Sequence, residues 1–291
     1  MAKQNNRPIG IFDSGVGGLT VLAEVKKALP GESVIYVGDT ANAPYGGKSP
    51  EALLKHGRDI IRFLRGHNVK AVVLACGTTS STVYEELARE NPDIPLVDVI
   101  RPGVKACAKM NKPWDNTSPK GHYATDTHAH KTEQPFRLGI IATAATIKSG
   151  LFAQMLKAQR PDISILTQAC PLFMPMVEAG VTHSPITKWV AENYIGHWQG
   201  KVDVVVLGCT HYPLLTEAIS SVLGMDMQYI NLATYAAQAL KDQLSATLAL
   251  GDGKTPATHK YYVSGAPSTF NEAARFILNY SPDADKMQLY Q

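Results

Sequence analysis

The 291-residue sequence lacks long apolar runs and is poor in cysteine and in charged residues. Its longest apolar stretches, such as residues 71–76 and 204–208, have the length of a strand and are too short to span a membrane. Four cysteines without a CxxC spacing argue against a disulfide framework and against a structural zinc site. The 28 basic and 25 acidic residues are spread along the chain. We therefore expect neither a membrane nor a nucleic acid as a partner.

What the sequence does contain is typical of an ordinary globular protein. Hydrophobic residues make up 45% of the chain and charged residues 18%, which excludes a disordered protein. The length allows two domains. The first six residues are polar and lack the apolar segment of a signal peptide, so we expect a cytoplasmic, reducing location.

Apolar segments of strand length alternate with segments of helical length through most of the chain. Strands are predicted at 9–12, 34–37, 71–75, 96–100, 138–142, 163–167, 204–207 and 259–264. Helices are predicted at 19–28, 50–64, 81–89, 104–110, 150–158 and 186–198. Such alternation, with right-handed crossovers, predicts an α/β fold with mainly parallel sheets flanked by helices.

The two halves of this pattern resemble each other. Ile9-Gly10-Ile11-Phe12 matches Leu138-Gly139-Ile140-Ile141, and residues 71–76 match residues 204–209, with the partners about 130 residues apart in both cases. We therefore predict two similar lobes, related by a pseudo-two-fold axis, with the active site between them. The second copy is expected to end soon after Cys209, and the segment from residue 216 onward either extends the second lobe or returns to the first.

Two cysteines are the most informative residues. Cys76 and Cys209 each directly follow an apolar strand and precede hydroxyl-bearing residues at an expected helix start. Free amides and the helix dipole at such a position lower the pKa of a thiol and bind carboxylates. A single cysteine is usually buried and inert, but two in matching places of two lobes indicate chemistry. One thiolate can remove a proton while the opposite thiol delivers one, as in a cofactor-independent racemase. Asp13 and His211 lie near these segments and could tune or relay protons.

Other motifs are incomplete. Gly15-Val16-Gly17-Gly18 lacks the last glycine of a dinucleotide-binding loop, and Gly47-Lys48-Ser49 lacks the first glycine of a P-loop. The polar segment 112–134 contains three histidines that could chelate a metal ion, His122, His128 and His130. We expect a solvated loop there and no metal site.

With these residues in view, the sequence resembles the glutamate racemase family of the aspartate/glutamate racemase superfamily. The matching stretches, which run from residue 9 to about residue 215, are Gly10 to Leu19, Tyr36 to Asp39, Pro44-Tyr45-Gly46, Ala75-Cys76 with Thr78, Leu138-Gly139 with Thr143 and Thr146, Ala169-Cys170-Pro171 with Glu178, and Leu207 to Leu214. The resemblance implies that Cys76 is the base toward one enantiomer of glutamate and Cys209 toward the other. It implies that Asp13 and His211 assist, with Asp39 and Glu178 as further helpers. It assigns the substrate to Asp13, Ser14, Tyr45, Gly46, Gly77, Thr78, Thr210 and His211.

The resemblance also implies a small amino acid as the partner and no metal, pyridoxal phosphate or other cofactor. The role that it implies for the protein is to supply D-glutamate for peptidoglycan, hence for cell wall biogenesis and cell shape. A homodimer is compatible with the resemblance. Discontinuous lobes are implied as well, with residues 1–101 and 212–291 forming the first and residues 102–211 the second.

One departure from the family bears on the substrate. The family has Asn directly after the first cysteine, where this chain has Gly77, and Thr79 or a water could replace the lost amide. The alternatives are racemisation or decarboxylation of another carbon acid, such as aspartate, a hydantoin or a malonate. A non-catalytic binding protein is disfavoured because both cysteines are present, each followed within two residues by threonine.

Overall fold

The computed structural model describes residues 5–110 and 136–287. The segment 112–134, with the histidines considered above as metal ligands, lies outside these described residues. The strands are β1 (Ile9–Asp13), β2 (Val34–Gly38), β3 (Ala71–Leu74), β4 (Leu96–Asp98), β5 (Arg137–Ala142), β6 (Ser164–Ala169), β7 (Val204–Leu207), β8 (Gln228–Asn231), β9 (His259–Val263) and β10 (Ala284–Lys286). The α-helices are α1 (Leu19–Ala28), α2 (Pro50–Gly66), α3 (Gly77–Thr82), α4 (Tyr84–Glu90), α5 (Ile100–Ala108), α6 (Ala144–Ser149), α7 (Leu151–Gln159), α8 (Phe173–Glu178), α9 (Pro185–Ile195), α10 (Thr216–Leu223), α11 (Leu232–Ala246) and α12 (Pro267–Leu278).

The described strands form two parallel sheets. The first has the order β10-β9-β2-β1-β3-β4, and the second has the order β6-β5-β7-β8. The second sheet repeats the run β2-β1-β3-β4 of the first, strand for strand. The predicted α/β fold with two similar lobes is therefore confirmed, and β1 and β5 are the equivalent central strands. We call the six-stranded sheet with its helices the first lobe and the four-stranded sheet the second lobe.

The central strands were readable from the sequence because helices cover both of their faces. Every residue of β1, β3 and β7 is buried, and apart from Asp13 at the end of β1 these strands are continuous apolar runs. The longest helix, α2, has a clear start signal, because Ser49 accepts a hydrogen bond from the Ala52 amide and Pro50 occupies the first helical position.

The second sheet extends beyond the end that the repeat predicted. Strand β8 lies at 228–231 and pairs with β7 in the second sheet, so a boundary at residue 211 does not match sheet membership. The sequence of β8 is Gln-Tyr-Ile-Asn, and only Ile230 is fully buried, which left no apolar run to detect. Strand β9 then pairs with β2, so the chain has returned to the first sheet by His259.

One apolar core joins the two lobes. It includes Ile11 from β1 and Val206 from β7, together with Leu240 from α11. Helix α11 packs against α1 and against α5, which in turn packs against α7 of the second lobe. This shared core fixes the distance between the two sheets and so positions the cleft between them.

Candidate active site

The two cysteines singled out in the sequence line one cleft between the lobes. Cys76 lies just beyond β3, and Cys209 lies just beyond the equivalent strand β7. The cleft holds about 310 Å³ of empty space, counting its opening to solvent. Its lining residues are Ser14, Tyr45, Gly46, Cys76, Gly77, Thr78, Thr143, Met174, Gly208, Cys209, Thr210 and His211.

Cys76 is the N-cap residue of α3 and is 6% exposed. Its sulfur lies 3.9 Å from the hydroxyl oxygen of Ser14. Burial and the charge of Asp13 raise the pKa of the Cys76 thiol to about 11, although the amide and hydroxyl of Thr79 act in the opposite direction. These surroundings therefore favour the neutral thiol of Cys76.

Cys209 has a different neighbourhood. The Nδ1 atom of the buried His211 lies 3.7 Å from its sulfur, and Nε2 of the same ring lies 3.2 Å from a carboxylate oxygen of Glu178. Burial alone would lower the pKa of His211, but the hydrogen bonds to Cys209 and Glu178 and the charge of Asp13 raise it to about 10. These contacts therefore favour a charged imidazolium beside Cys209.

Asp13 lies at the end of β1, behind the surface of the cleft. One of its carboxylate oxygens accepts hydrogen bonds from the amides of Gly15 and Gly18. Its other oxygen, Oδ1, is buried without a hydrogen-bond partner among the described residues. Burial raises the pKa of this carboxyl against the opposing charge of His211. Asp13 is therefore a poorly solvated acid with one unused oxygen, which suits it to hold or exchange a proton.

Tyr45 is held in the cleft by Asp39. The Tyr45 hydroxyl donates to Oδ2 of Asp39 at 2.5 Å, and the Ser264 hydroxyl donates to Oδ1 of the same carboxylate at 2.5 Å. Asp39 is buried and does not line the cleft. Its predicted role as a helper is therefore indirect here, through the position of the Tyr45 ring.

A short chain of hydroxyl groups crosses the cleft. Thr78 of the first lobe lies 3.0 Å, oxygen to oxygen, from Thr143 of the second, and the Thr143 hydroxyl donates to that of Thr146 at 3.0 Å. Nine of the ten predicted site residues line the cleft, and Asp13 lies behind it. Sequence reasoning did not assign Thr143 or Met174 to the site. The signal for Thr143 was its place directly after β5, equivalent to that of Ser14 after β1.

The Gly15-Val16-Gly17-Gly18 run has a packing role in this site. A side chain at Gly17 would overlap with the His211 ring and with the Thr210 hydroxyl of the opposite lobe. The hydroxyl of Thr20 donates to the Thr210 carbonyl at 3.0 Å, which joins the lobes at the same place. Gly17 therefore lets the Cys209 segment approach α1 closely.

Neither a metal-binding cluster nor a membrane-spanning helix occurs among the described residues. No group of His, Cys, Asp and Glu side chains within 5–110 and 136–287 is arranged to hold a metal ion. In that same part of the chain, no helix is both long and apolar enough to cross a membrane.

Comparison with known proteins gives a consistent result. No protein-family model matches the chain. A glutamate racemase of Geobacter metallireducens is 37% identical over 265 residues, which cover 91% of this chain and 90% of that protein. A glutamate racemase of Streptococcus sanguinis is 34% identical and covers 98% of this chain and all of its own length. The crystal structure of a Francisella tularensis glutamate racemase in complex with D-glutamate superposes with a TM-score of 0.83, at 31% identity and 98% coverage of both chains. With this similarity extending along nearly the whole chain, we conclude that the protein belongs to the glutamate racemase family.

Proposed function

We propose that this protein interconverts L-glutamate and D-glutamate by two-base proton transfer between Cys76 and Cys209. The observation that carries the proposal is that one cleft is lined by two thiols from equivalent positions of two opposing lobes. A substrate held between them presents opposite faces of its Cα to the two sulfurs. Relatives of nearly full length are glutamate racemases, which favours glutamate over aspartate, hydantoins or malonates.

In the direction in which Cys76 is the base, its thiolate takes the α-proton and the electron pair of the C–H bond stays on the substrate. The thiol of Cys209 then gives its proton to the opposite face of the carbon, which inverts the stereocentre. The enzyme is left with a Cys76 thiol and a Cys209 thiolate, which is the form that acts on the product enantiomer. Since the two thiols supply both the base and the acid, the proposed reaction uses no cofactor.

The remaining site residues have proposed roles in holding glutamate and moving protons. The hydroxyls of Ser14, Thr78 and Thr210, with the Tyr45-Gly46 segment, offer donors for two carboxylates. We assign the unused oxygen of Asp13 to the ammonium group of the substrate or to a shared proton. His211, charged at neutral pH, stabilises the Cys209 thiolate in the direction in which Cys209 is the base.

The lobes and the setting of the reaction complete the proposal. Of the described residues, we place those up to 101 and those from β9 onward in the first lobe, and those from 102 through β8 in the second. Four free thiols suit the reducing cytoplasm, where D-glutamate would be made for peptidoglycan. The exposed Ile186 and Trp189 on α9 are the surface we would assign to a homodimer.

Proton NMR in heavy water tests the reaction directly. With no cofactor added, L-glutamate is expected to lose its Cα–H signal while D-glutamate accumulates, and D-glutamate is expected to behave in the mirror-image way. Folded protein that exchanges neither enantiomer of glutamate, but does exchange aspartate or a hydantoin, would overturn the proposed substrate.

Glu178→Gln is expected to lower kcat/KM about fivefold, because a charge-assisted hydrogen bond to His211 becomes a neutral one. The effect is modest because the Glu178 side chain is 36% exposed, so water screens its charge. Glu178 raises the pKa of His211, so the variant's imidazolium loses its proton at a lower pH. The alkaline fall in activity is therefore expected to begin at lower pH, as measured by a kcat/KM–pH profile.

Glu217→Gln is the matched control, because Glu217 also pairs with a histidine, His183, but at an exposed position. Its pH profile should superpose on that of the unchanged protein. An alkaline limb that stays in place in Glu178→Gln would contradict the role assigned to the Glu178–His211 pair.

A further inference from the structure

The N-terminal turn of α3 contains one hydroxyl without a hydrogen-bond partner. Thr79 is fully buried, and its Oγ1 atom forms no hydrogen bond with any described residue. The other hydroxyls that follow in this helix are all satisfied: Ser80 donates to the Leu74 carbonyl, and Ser81 and Thr82 both donate to the Thr78 carbonyl. A hydroxyl buried in a dry core without a partner is unfavourable. Its position is therefore not explained by the packing of the helix.

The sulfur of Cys76 is the acceptor that the position of this hydroxyl in the helix suggests. Cys76 is the N-cap of α3, and Thr79 is the third residue of the helix, the position whose amide ordinarily meets the N-cap side chain. No cap hydrogen bond to the Cys76 side chain is formed, as expected of a neutral thiol, which is a weak acceptor. The amide and the hydroxyl of Thr79 both lower the pKa of Cys76, against burial and the charge of Asp13.

We propose that Thr79 is a positioning residue whose hydroxyl donates a hydrogen bond to the Cys76 thiolate as it forms. The inference rests on the proposed function, in which Cys76 is one of the two bases. When the thiol loses its proton, the sulfur becomes a charged acceptor, and the unpartnered hydroxyl of Thr79, with its amide at the third helical position, can then donate to it. No reorganisation of the helix is then required.

This assignment explains how the two cysteines differ. Cys209 has an imidazolium at 3.7 Å, whereas the ionisable groups that face Cys76 are Asp13 on β1, Tyr36 on β2, Tyr45 and Cys209. None of these four carries a positive charge. Beyond the Ser14 hydroxyl at 3.9 Å, the start of α3 is therefore the source of hydrogen bonds for a negative charge on Cys76. With Gly77 offering no side chain, Thr79 provides the hydroxyl nearest to the N-cap that is free to do this.

The test is the rate at which iodoacetamide alkylates Cys76 in the full chain, followed by peptide mass spectrometry between pH 7 and pH 10. Thr79→Val keeps the branched shape and removes the hydroxyl. Losing a hydrogen bond to a charged group should raise the pKa of Cys76 by about one to two units. The higher pKa lowers the fraction of Cys76 present as thiolate, and the greater nucleophilicity of a more basic thiolate offsets part of that loss. The alkylation rate at a fixed pH below the pKa should therefore fall about 3- to 10-fold.

Two further variants separate the hydroxyl from its surroundings. Thr79→Ser retains the hydroxyl and should alkylate at the original rate. Thr82→Val removes a hydroxyl from the same helix that already bonds to the Thr78 carbonyl, and it should leave the Cys76 rate unchanged. The inference is overturned if Thr79→Val alkylates at the original rate, or if Thr79→Ser is slowed as much as Thr79→Val.

Alkylation does not depend on the substrate, so this result is independent of the proposed function. If Cys76 is alkylated more slowly in Thr79→Val but the unchanged protein does not racemise glutamate, the role of Thr79 stands and the substrate assignment falls. If the unchanged protein racemises glutamate but the alkylation rate of Thr79→Val is unaffected, the substrate assignment stands and the role of Thr79 falls.

Discussion

Replacing Cys76 with alanine is expected to lower racemisation about 10²- to 10⁴-fold in both directions, and replacing Cys209 should do the same. Each direction needs one sulfur as base and the other as acid, so neither survives the loss of either thiol. The two enantiomers of glutamate have equal free energy, so kcat/KM for L-glutamate and for D-glutamate must fall together. Circular dichroism of the substrate, whose signal is proportional to the excess of one enantiomer over the other, measures both rates.

The two variants should differ in hydrogen exchange at Cα. With Cys209 removed, the Cys76 thiolate still faces one enantiomer and can return a deuteron to the same face, so that enantiomer exchanges in heavy water without inverting. With Cys76 removed, the other enantiomer should exchange. In each variant, the enantiomer that still exchanges is the one for which the remaining cysteine is the base.

Cys107→Ala is the matched control for these variants. Cys107 is a fully buried cysteine on α5 that belongs to the core shared by the two lobes and does not line the cleft. Its removal should leave kcat/KM unchanged. Either single variant at Cys76 or Cys209 that keeps more than about a tenth of the original racemisation would contradict a mechanism that requires both thiols.

The site was predictable from the sequence wherever its residues directly follow a buried strand. The continuous apolar runs of β3 and β7 end at Cys76 and just before Cys209, so the repeat placed both thiols at equivalent sheet edges. Strand β8 was missed because its polar and half-buried residues form no apolar run, although its pairing with β7 completes the second sheet. Short strands of this kind are fixed by their neighbours more than by their own sequence.

Contacts between the lobes could not be predicted. The approach of Gly17 to Thr210 and His211 joins positions far apart in the chain, and glycine gives no sign of what it faces. The same holds for Gly77, which reads in the sequence as the loss of a side chain that could contact the substrate. In the structure Gly77 lies against the Gly208 backbone of the opposite lobe, so the close approach of the lobes is a second explanation for a glycine at this position.

Gly77→Ala is expected to lower kcat/KM about 100-fold, since a displacement of about 1 Å in a reacting group can cost that much. A Cβ atom at this position would lie 2.7 Å from the Gly208 carbonyl oxygen, and the neighbour is backbone that cannot rotate away. Either the Gly208 peptide moves, and Cys209 with it, or the lobes separate. Both changes alter the position of Cys209 relative to Cys76 across the substrate.

Folding should not be the cause of that loss. Gly77 is the first residue of α3, where alanine is the better helix former by up to about 1 kcal/mol. The Tm of the variant should therefore stay close to that of the unchanged protein. Gly47→Ala is the control, because Gly47 lies next to the cleft-lining Gly46 and a Cβ there has no atom within 4 Å. It should keep its activity.

Gly77→Asn decides between the two explanations of this departure from the family. If Gly77 is simply a missing substrate contact, the restored amide should raise activity toward glutamate. The distance to Gly208 predicts the opposite, because asparagine brings the same Cβ as alanine and places more atoms beyond it. We therefore expect Gly77→Asn to be at least as impaired as Gly77→Ala. A gain of activity would mean that the lobes can move apart and still present both sulfurs to the substrate, and the close approach at Gly77 would then have no part in catalysis.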